Sequence, residues 1–170
     1  MIVCVDVAYA DDTAFAAGVF FDGWSAATPS HERVVRVDGI EPYLPGQFFR
    51  RELPPILALV AVAPGPPSTV VIDGYVWLAP DHPGLGAHLF DAVGGSVAVV
   101  GVAKTKFGDA SAAAPLLRGT SATPLYVTAA GVALDDAVAH VRAMHGAHRI
   151  PTLIRRADRL CRDAAAAKGC

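Results

Sequence analysis

The chain is short of charge, of cysteine and of long apolar runs. Asp, Glu, Lys and Arg make up 18% of its 170 residues, and the formal net charge is −2. Proteins that grip nucleic acid through a broad positive surface are usually basic, so a contact of that kind must be local here. The three cysteines, Cys4, Cys161 and Cys170, have no metal-binding spacing. That excludes a zinc framework and leaves reduced thiols as the expectation. No apolar run approaches the ~20 residues of a membrane helix. Met1-Ile2-Val3-Cys4-Val5 runs into a strand pattern without the basic start of a signal peptide. The expectation is a cytoplasmic, monomeric chain with no membrane contact, and no internal repeat is visible. What is abundant is apolar: 53% of residues are hydrophobic. That sets disorder aside and suits one domain over residues 1–170 with a core of its own.

The N-terminal run 1–7 is apolar and β-branched, and Asp6 alone interrupts it. Residues 14–21 and 32–37 read as two further strands. Asp11-Asp12 and Asp22-Gly23 supply turn chemistry between them, which predicts an antiparallel three-strand meander. The stretch from Glu41 to Glu52 follows, with Pro42 and Pro45 holding Tyr43, Leu44 and Gly46 on a stiff turn. Pro54 and Pro55 suit the first turn of a helix over 54–62, which would put Glu52 just ahead of the helix start. Pro64-Gly65-Pro66-Pro67 stops that helix. Residues 69–72 and 96–102 read as strands buried on both faces. Between them lie a loop over 75–83 and a helix over 85–93 capped by Gly94-Gly95. A loop over 109–123, a strand over 125–128 and helices over 134–144 and 152–167 complete an α/β chain with a mixed sheet.

Four acids stand out. Asp6 and Asp73 sit in or at the end of apolar strands, where a carboxylate needs a partner or a cation. Capping of the Gly74 turn is an alternative for Asp73. Glu52 follows the arginine pair Arg50-Arg51, and Asp158 falls about two turns into the last helix. The alternative for Asp158 is a salt bridge to Arg155 or Arg162 on its own helix face. Clustered carboxylates suit Mg²⁺, with Mn²⁺ as a substitute, since both prefer oxygen ligands. Lys104 ends a strand, where it either is solvated or serves such a site. The arginines of the last helix form either a local basic track or an ordinary charged face.

Five islands occur in one order: Val5-Asp6-Val7; Tyr43-Leu44-Pro45-Gly46 with Arg51-Glu52; Ile72-Asp73-Gly74; Gly101-Val102-Ala103-Lys104; and Arg149-Ile150-Pro151 with Ala157-Asp158-Arg159. Together they resemble the endonuclease V family. The resemblance implies a ribonuclease H-like mixed sheet flanked by helices, and a Mg²⁺ site built from Asp6, Glu52, Asp73 and Asp158. It further implies a functional lysine at Lys104 and a tyrosine wedge at Tyr43 on the Leu44-Pro45-Gly46 turn. The activity it implies is hydrolysis of a phosphodiester bond on the 3′ side of hypoxanthine in DNA or RNA. Gly74 and His82 fall where the family lines its flipped-base pocket.

The chain departs from the family pattern in four places. Met1 opens the first strand directly. Val76 stands where the family has a second glycine. His82-Pro83 comes three residues late, and the segment 106–124 is too short for the usual hairpin, which predicts loss of an edge strand. Two other readings therefore stand beside the hypoxanthine endonuclease: a nuclease with altered base specificity, and a nucleic-acid or partner-binding module that does not cut.

Overall fold

The structure, a computed structural model, describes residues 1–42 and 47–168. Tyr43, Leu44, Pro45 and Gly46, the expected wedge, lie outside the described residues. The elements in chain order are β1 (Ile2–Ala10), β2 (Thr13–Phe21), β3 (His31–Val37), α1 (Phe48–Ala61), β4 (Thr69–Ile72), β5 (Trp77–Ala79), β6 (His82–Pro83), α2 (Leu85–Ala92), β7 (Ala98–Ala103), β8 (Ala114–Leu116), β9 (Leu125–Ala130), α3 (Leu134–Ala143) and α4 (Thr152–Lys168).

The meander forms as expected. Ala10 pairs with Thr13 across the Asp11-Asp12 turn, with Asp11 in the left-handed region that aspartate tolerates. Seven strands make one sheet in the order β3-β2-β1-β4-β7-β9-β8, and β5 with β6 makes a separate pair. β1, β4 and β7 run parallel, while β2, β3, β8 and β9 pair antiparallel. The sheet is mixed, with helices on both faces.

Strand alternation divides the core in two. Val3, Val5, Val70, Ile72 and Val99 face α1 and α2, whereas Ile2, Cys4, Val71, Val100 and Val102 face α3 and α4. This parity decides the site. Asp6 continues the series of Ile2 and Cys4, Asp73 continues that of Val71, and Lys104 continues that of Val100 and Val102. All three belong to the α4 face. The parallel pairing of β1 with β4 stops at Val5 and Ile72, one residue before the two aspartates. They therefore stand at the same level where the strands part, at the carboxyl ends of parallel strands where open α/β sheets place their ligands.

Three expectations are corrected. The helix expected from Pro54 begins six residues earlier, at Phe48, so Pro54 and Pro55 lie inside it and Glu52 lies on it. A proline within a helix leaves the carbonyl four residues back without its donor. For Pro55 that carbonyl is Arg51's, and the Tyr9 hydroxyl reaches it at 3.2 Å. For Pro54 it is that of Arg50, on the exposed side. The 75–83 loop contains the β5–β6 pair. The edge strand survives in short form, because β8 pairs with β9 through Ala114, Pro115 and Leu116. The buried Leu116 anchors it.

Val76 does not disrupt its neighbourhood. Its side chain is fully buried, its amide donates to Thr128 Oγ1 at 2.8 Å, and Gly86 leaves room for it. A Cβ on Gly86 would lie 2.7 Å from Val76 Cγ2, so the bulk at 76 is matched by its absence at 86.

Candidate active site

Asp6 accepts a hydrogen bond from the Val7 amide at 2.8 Å. Burial first, and then the nearby Asp73 charge, push its pKa up to about 6, with Asp158 adding to the rise against the opposing Val7 amide and Lys104. Glu52 is buried on α1, and Tyr9 donates a 2.7 Å hydrogen bond to its Oε1. Burial pushes Glu52 up to about 7; the Tyr9 bond and Arg51 oppose that rise, and Asp6 and Asp73 add to it. Glu52 thus comes from the α1 side of the sheet and feels both aspartates of the α4 side. Asp73 forms a salt bridge with Lys104 through one of its two carboxylate oxygens. Burial works against the Lys104 charge. The hydrogen bond and charge of Asp73, with Asp6 and Asp158 behind it, outweigh burial and hold the ammonium above its usual range.

Asp158 makes the salt bridge to Arg162 expected on its own helix face. Its charge reaches Asp6 and Lys104, and its Oδ1 accepts a 2.9 Å hydrogen bond from Arg162. The four acids and Lys104 share one neighbourhood. Among the described residues, however, no three His, Cys, Asp or Glu side chains are grouped closely enough to hold a metal ion as placed. Two of the four carboxylates are engaged by Lys104 and Arg162 instead. The donor chemistry suits a hard divalent cation: every candidate ligand is a carboxylate, and two, Asp6 and Glu52, are pushed toward neutrality by burial and by the charge of neighbouring carboxylates.

A cavity of about 540 Å³ opens beside this cluster, lined by Phe48, Phe49, Gly74, Tyr75, His82, His88 and Phe107 among others. It brings together Gly74 and His82, both expected from the sequence. It adds aromatic residues that periodicity alone could not assign. Phe49 stacks on His88 with ring centroids 3.8 Å apart. The Tyr75 hydroxyl donates to Thr105 O at 2.8 Å and accepts from Phe107 N at 3.1 Å, pinning the segment after Lys104 as one cavity wall.

The arginines of α4 are largely a self-neutralised face. Arg156 binds Glu32 through two 2.7 Å hydrogen bonds, Arg159 pairs with Asp163 and Arg162 with Asp158. Two other arginines do structural work that sequence reasoning missed. Arg149 donates to Lys104 O and, at 2.8 Å, to Pro124 O, fixing the end of β7 from which Lys104 projects. Arg118 is buried and donates to the carbonyls of Met144, Gly146, His148 and Arg149. Tyr9 was missed as well. An aromatic three residues after a strand aspartate is the one signal that could have found it.

Known proteins match this architecture along nearly its whole length. The sequence matches the endonuclease V family over residues 1–159. It is 36% identical to endonuclease V of Streptomyces avermitilis, over 94% of this chain and 78% of that one. Identity to the Streptomyces coelicolor protein is 35%, over 94% and 77%. The crystal structure of the Streptomyces avermitilis enzyme superposes with a TM-score of 0.82, covering 99% of this chain and 82% of that one. Ciona intestinalis endonuclease V, solved in complex with a 24mer DNA containing an inosine followed by a ribo-adenosine, shares the fold at 19% identity and a TM-score of 0.82, over 98% and 86%. From the mixed seven-stranded sheet with acids at its parallel carboxyl ends to this agreement over residues 1–159, the findings converge: the chain is a ribonuclease H-like protein and belongs to the endonuclease V family.

Proposed function

We propose that this chain is a divalent-cation-dependent endonuclease that hydrolyses a phosphodiester bond on the 3′ side of hypoxanthine in DNA or RNA. The observation that carries this reading is the level placement of Asp6 and Asp73 where β1 and β4 part, with buried Glu52 coupled to both. Asp6, Glu52, Asp73 and Asp158 would hold Mg²⁺, or Mn²⁺ in its place. A bound divalent cation supplies charge neutralisation at the phosphate and a more acidic water. The chain's own groups do the rest. Lys104, held by Arg149 at its carbonyl and by Asp73 at its ammonium, lies ready to take a phosphate oxygen as a point charge. The aromatic cavity over Gly74 and His82 receives a base turned out of its stack. Tyr43, with Leu44, Pro45 and Gly46, would fill the gap that base leaves.

The test is incubation with labelled strands carrying a single inosine, as DNA and as RNA, in Mg²⁺ or Mn²⁺, beside uracil, xanthine and undamaged controls. Cleavage 3′ to inosine that is lost in Asp6→Ala and Asp73→Ala is the expected result. No cleavage of any strand by folded protein would remove the reading. Asp73 and Asp158 are already ion-paired with Lys104 and Arg162, and this favours a second reading: a module that binds nucleic acid without cutting. Tight binding that ignores both the metal and the aspartate substitutions would support it.

A further inference from the structure

We infer that Tyr9 is a positioning residue that sets the Glu52 carboxylate, in addition to repairing the helix that carries it. This rests on the reading of Glu52 as a metal ligand. Tyr9 lies on β1, three residues beyond Asp6, and its side chain falls on the opposite face of the sheet from Asp6. It meets α1 there. Its hydroxyl lies 2.7 Å from Glu52 Oε1 and 3.2 Å from the carbonyl of Arg51. The Arg51 guanidinium rests on its ring, 3.9 Å from the centroid. Helical geometry gives the Arg51 carbonyl to the amide of residue 55, and Pro55 has none. One hydroxyl therefore sits between a helix carbonyl that its own helix cannot satisfy and a buried carboxylate that needs a donor.

The placement explains how Glu52 points where it does. Glu52 comes from the α1 side of the sheet, while Asp6 and Asp73 are on the α4 side. A carboxylate on a helix interrupted by two prolines would be poorly fixed if its own helix alone held it. A rigid strand residue on the same strand as Asp6 fixes it instead, so the spacing of Glu52 from Asp6 is built into β1. Hydrogen bonds from the protein to a ligating carboxylate typically set metal affinity by 10–100-fold.

The experiment uses the whole chain and Mn²⁺ alone, with affinity read by titration calorimetry and folding by metal-free thermal unfolding. Tyr9→Phe keeps the ring under Arg51 and removes only the hydroxyl. It should weaken Mn²⁺ binding about 10–100-fold and lower the unfolding temperature. Adding Pro55→Ala returns an amide to the Arg51 carbonyl, and it keeps the measurement possible if Tyr9→Phe alone folds poorly. The double variant should regain stability yet keep the weakened Mn²⁺ affinity. Recovery of both in the double variant, or wild-type affinity in Tyr9→Phe, would reduce Tyr9 to a helix prop and overturn the inference. Glu52→Gln separates the two levels. If it weakens Mn²⁺ binding while Tyr9→Phe does not, only the positioning role fails. If it binds Mn²⁺ as the wild type does, the ligand role of Glu52 fails and this inference with it.

Discussion

Arg118→Ala tests how the lysine end of the site is held in place. Arg118 is 7% exposed and has no carboxylate partner among the described residues; its donors go to backbone carbonyls. The bonds to Met144 O and, at 2.9 Å, to His148 O are good ones, and those to Gly146 O and Arg149 O are longer at 3.3 Å. A hydrogen bond from a charged donor contributes about 1.5–3 kcal/mol, so the two good ones give about 3–6 kcal/mol. Relief of the side-chain ordering of a buried arginine offsets up to about 2 kcal/mol. With that offset taken, a net loss of about 1–4 kcal/mol remains, or roughly 2–15 °C in midpoint for a chain of this size. The consequence reaches the site through the segment Arg118 clamps. Arg149 leaves that segment to hold the Lys104 and Pro124 carbonyls, so its release loosens the end of β7. Calorimetric unfolding should show the drop, and amide exchange should rise in residues 144–149 and 103–105. Arg118→Lys, with a point charge in place of the fork, should recover less than half. A midpoint indistinguishable from wild type, with unchanged exchange in both segments, would refute the clamp.

Raising the pH should weaken the metal-free fold. Glu52 and Asp6 are pushed up to about 7 and about 6 from 4.5 and 3.8, so the folded chain holds these protons more tightly than the unfolded one. Their contribution is full below about pH 4 and is lost as the pH rises through 6 and 7, by at most about 3 kcal/mol for each carboxyl. Urea unfolding with EDTA should show stability falling between about pH 4 and 7, the span of these shifts. Added Mg²⁺ should flatten the slope, and a rise with pH in EDTA would contradict the account. Gly101→Ala puts a Cβ 2.5 Å from Gly74 O and 2.6 Å from Thr128 Oγ1. It should cost about 3 kcal/mol in urea unfolding and disturb the Val76–Thr128 bond. Tyr75→Phe removes the hydroxyl bonded to Thr105 and Phe107, so exchange at the Phe107 amide should rise and stability should fall by about 1–2 kcal/mol. An unchanged Phe107 amide would show that the cavity wall is held by other contacts.

Much of the fold was legible because its signals are local. Apolar and β-branched runs marked β1 to β4, paired glycines marked the end of α2, and Asp11-Asp12 and Asp22-Gly23 marked the turns. Gly94 and Gly95 do take the left-handed backbone that a helix cap needs. The α1 boundary misled for a long-range reason. Pro54 and Pro55 mark a helix start on local grounds, yet the helix runs through them, and the hydroxyl of a tyrosine 46 positions before Pro55 lies 3.2 Å from the stranded Arg51 carbonyl.

The residue types of the site are equally plain in the chain: acids stand alone among apolar neighbours, where a carboxylate needs a reason to be. Which of them meet is another matter. Asp6 and Asp73 stand level because β1 and β4 pair in one register and part after Val5 and Ile72, and a slip of one residue would have sent one of them to the other face. Lys104 reaches Asp73, Glu52 reaches Tyr9, and α1, α2 and the segment after β7 enclose a common cavity. Periodicity sees only the few residues within one turn or one pleat. Register, crossover and the side of the sheet a helix covers relate residues dozens of positions apart, and only the packed core decides them.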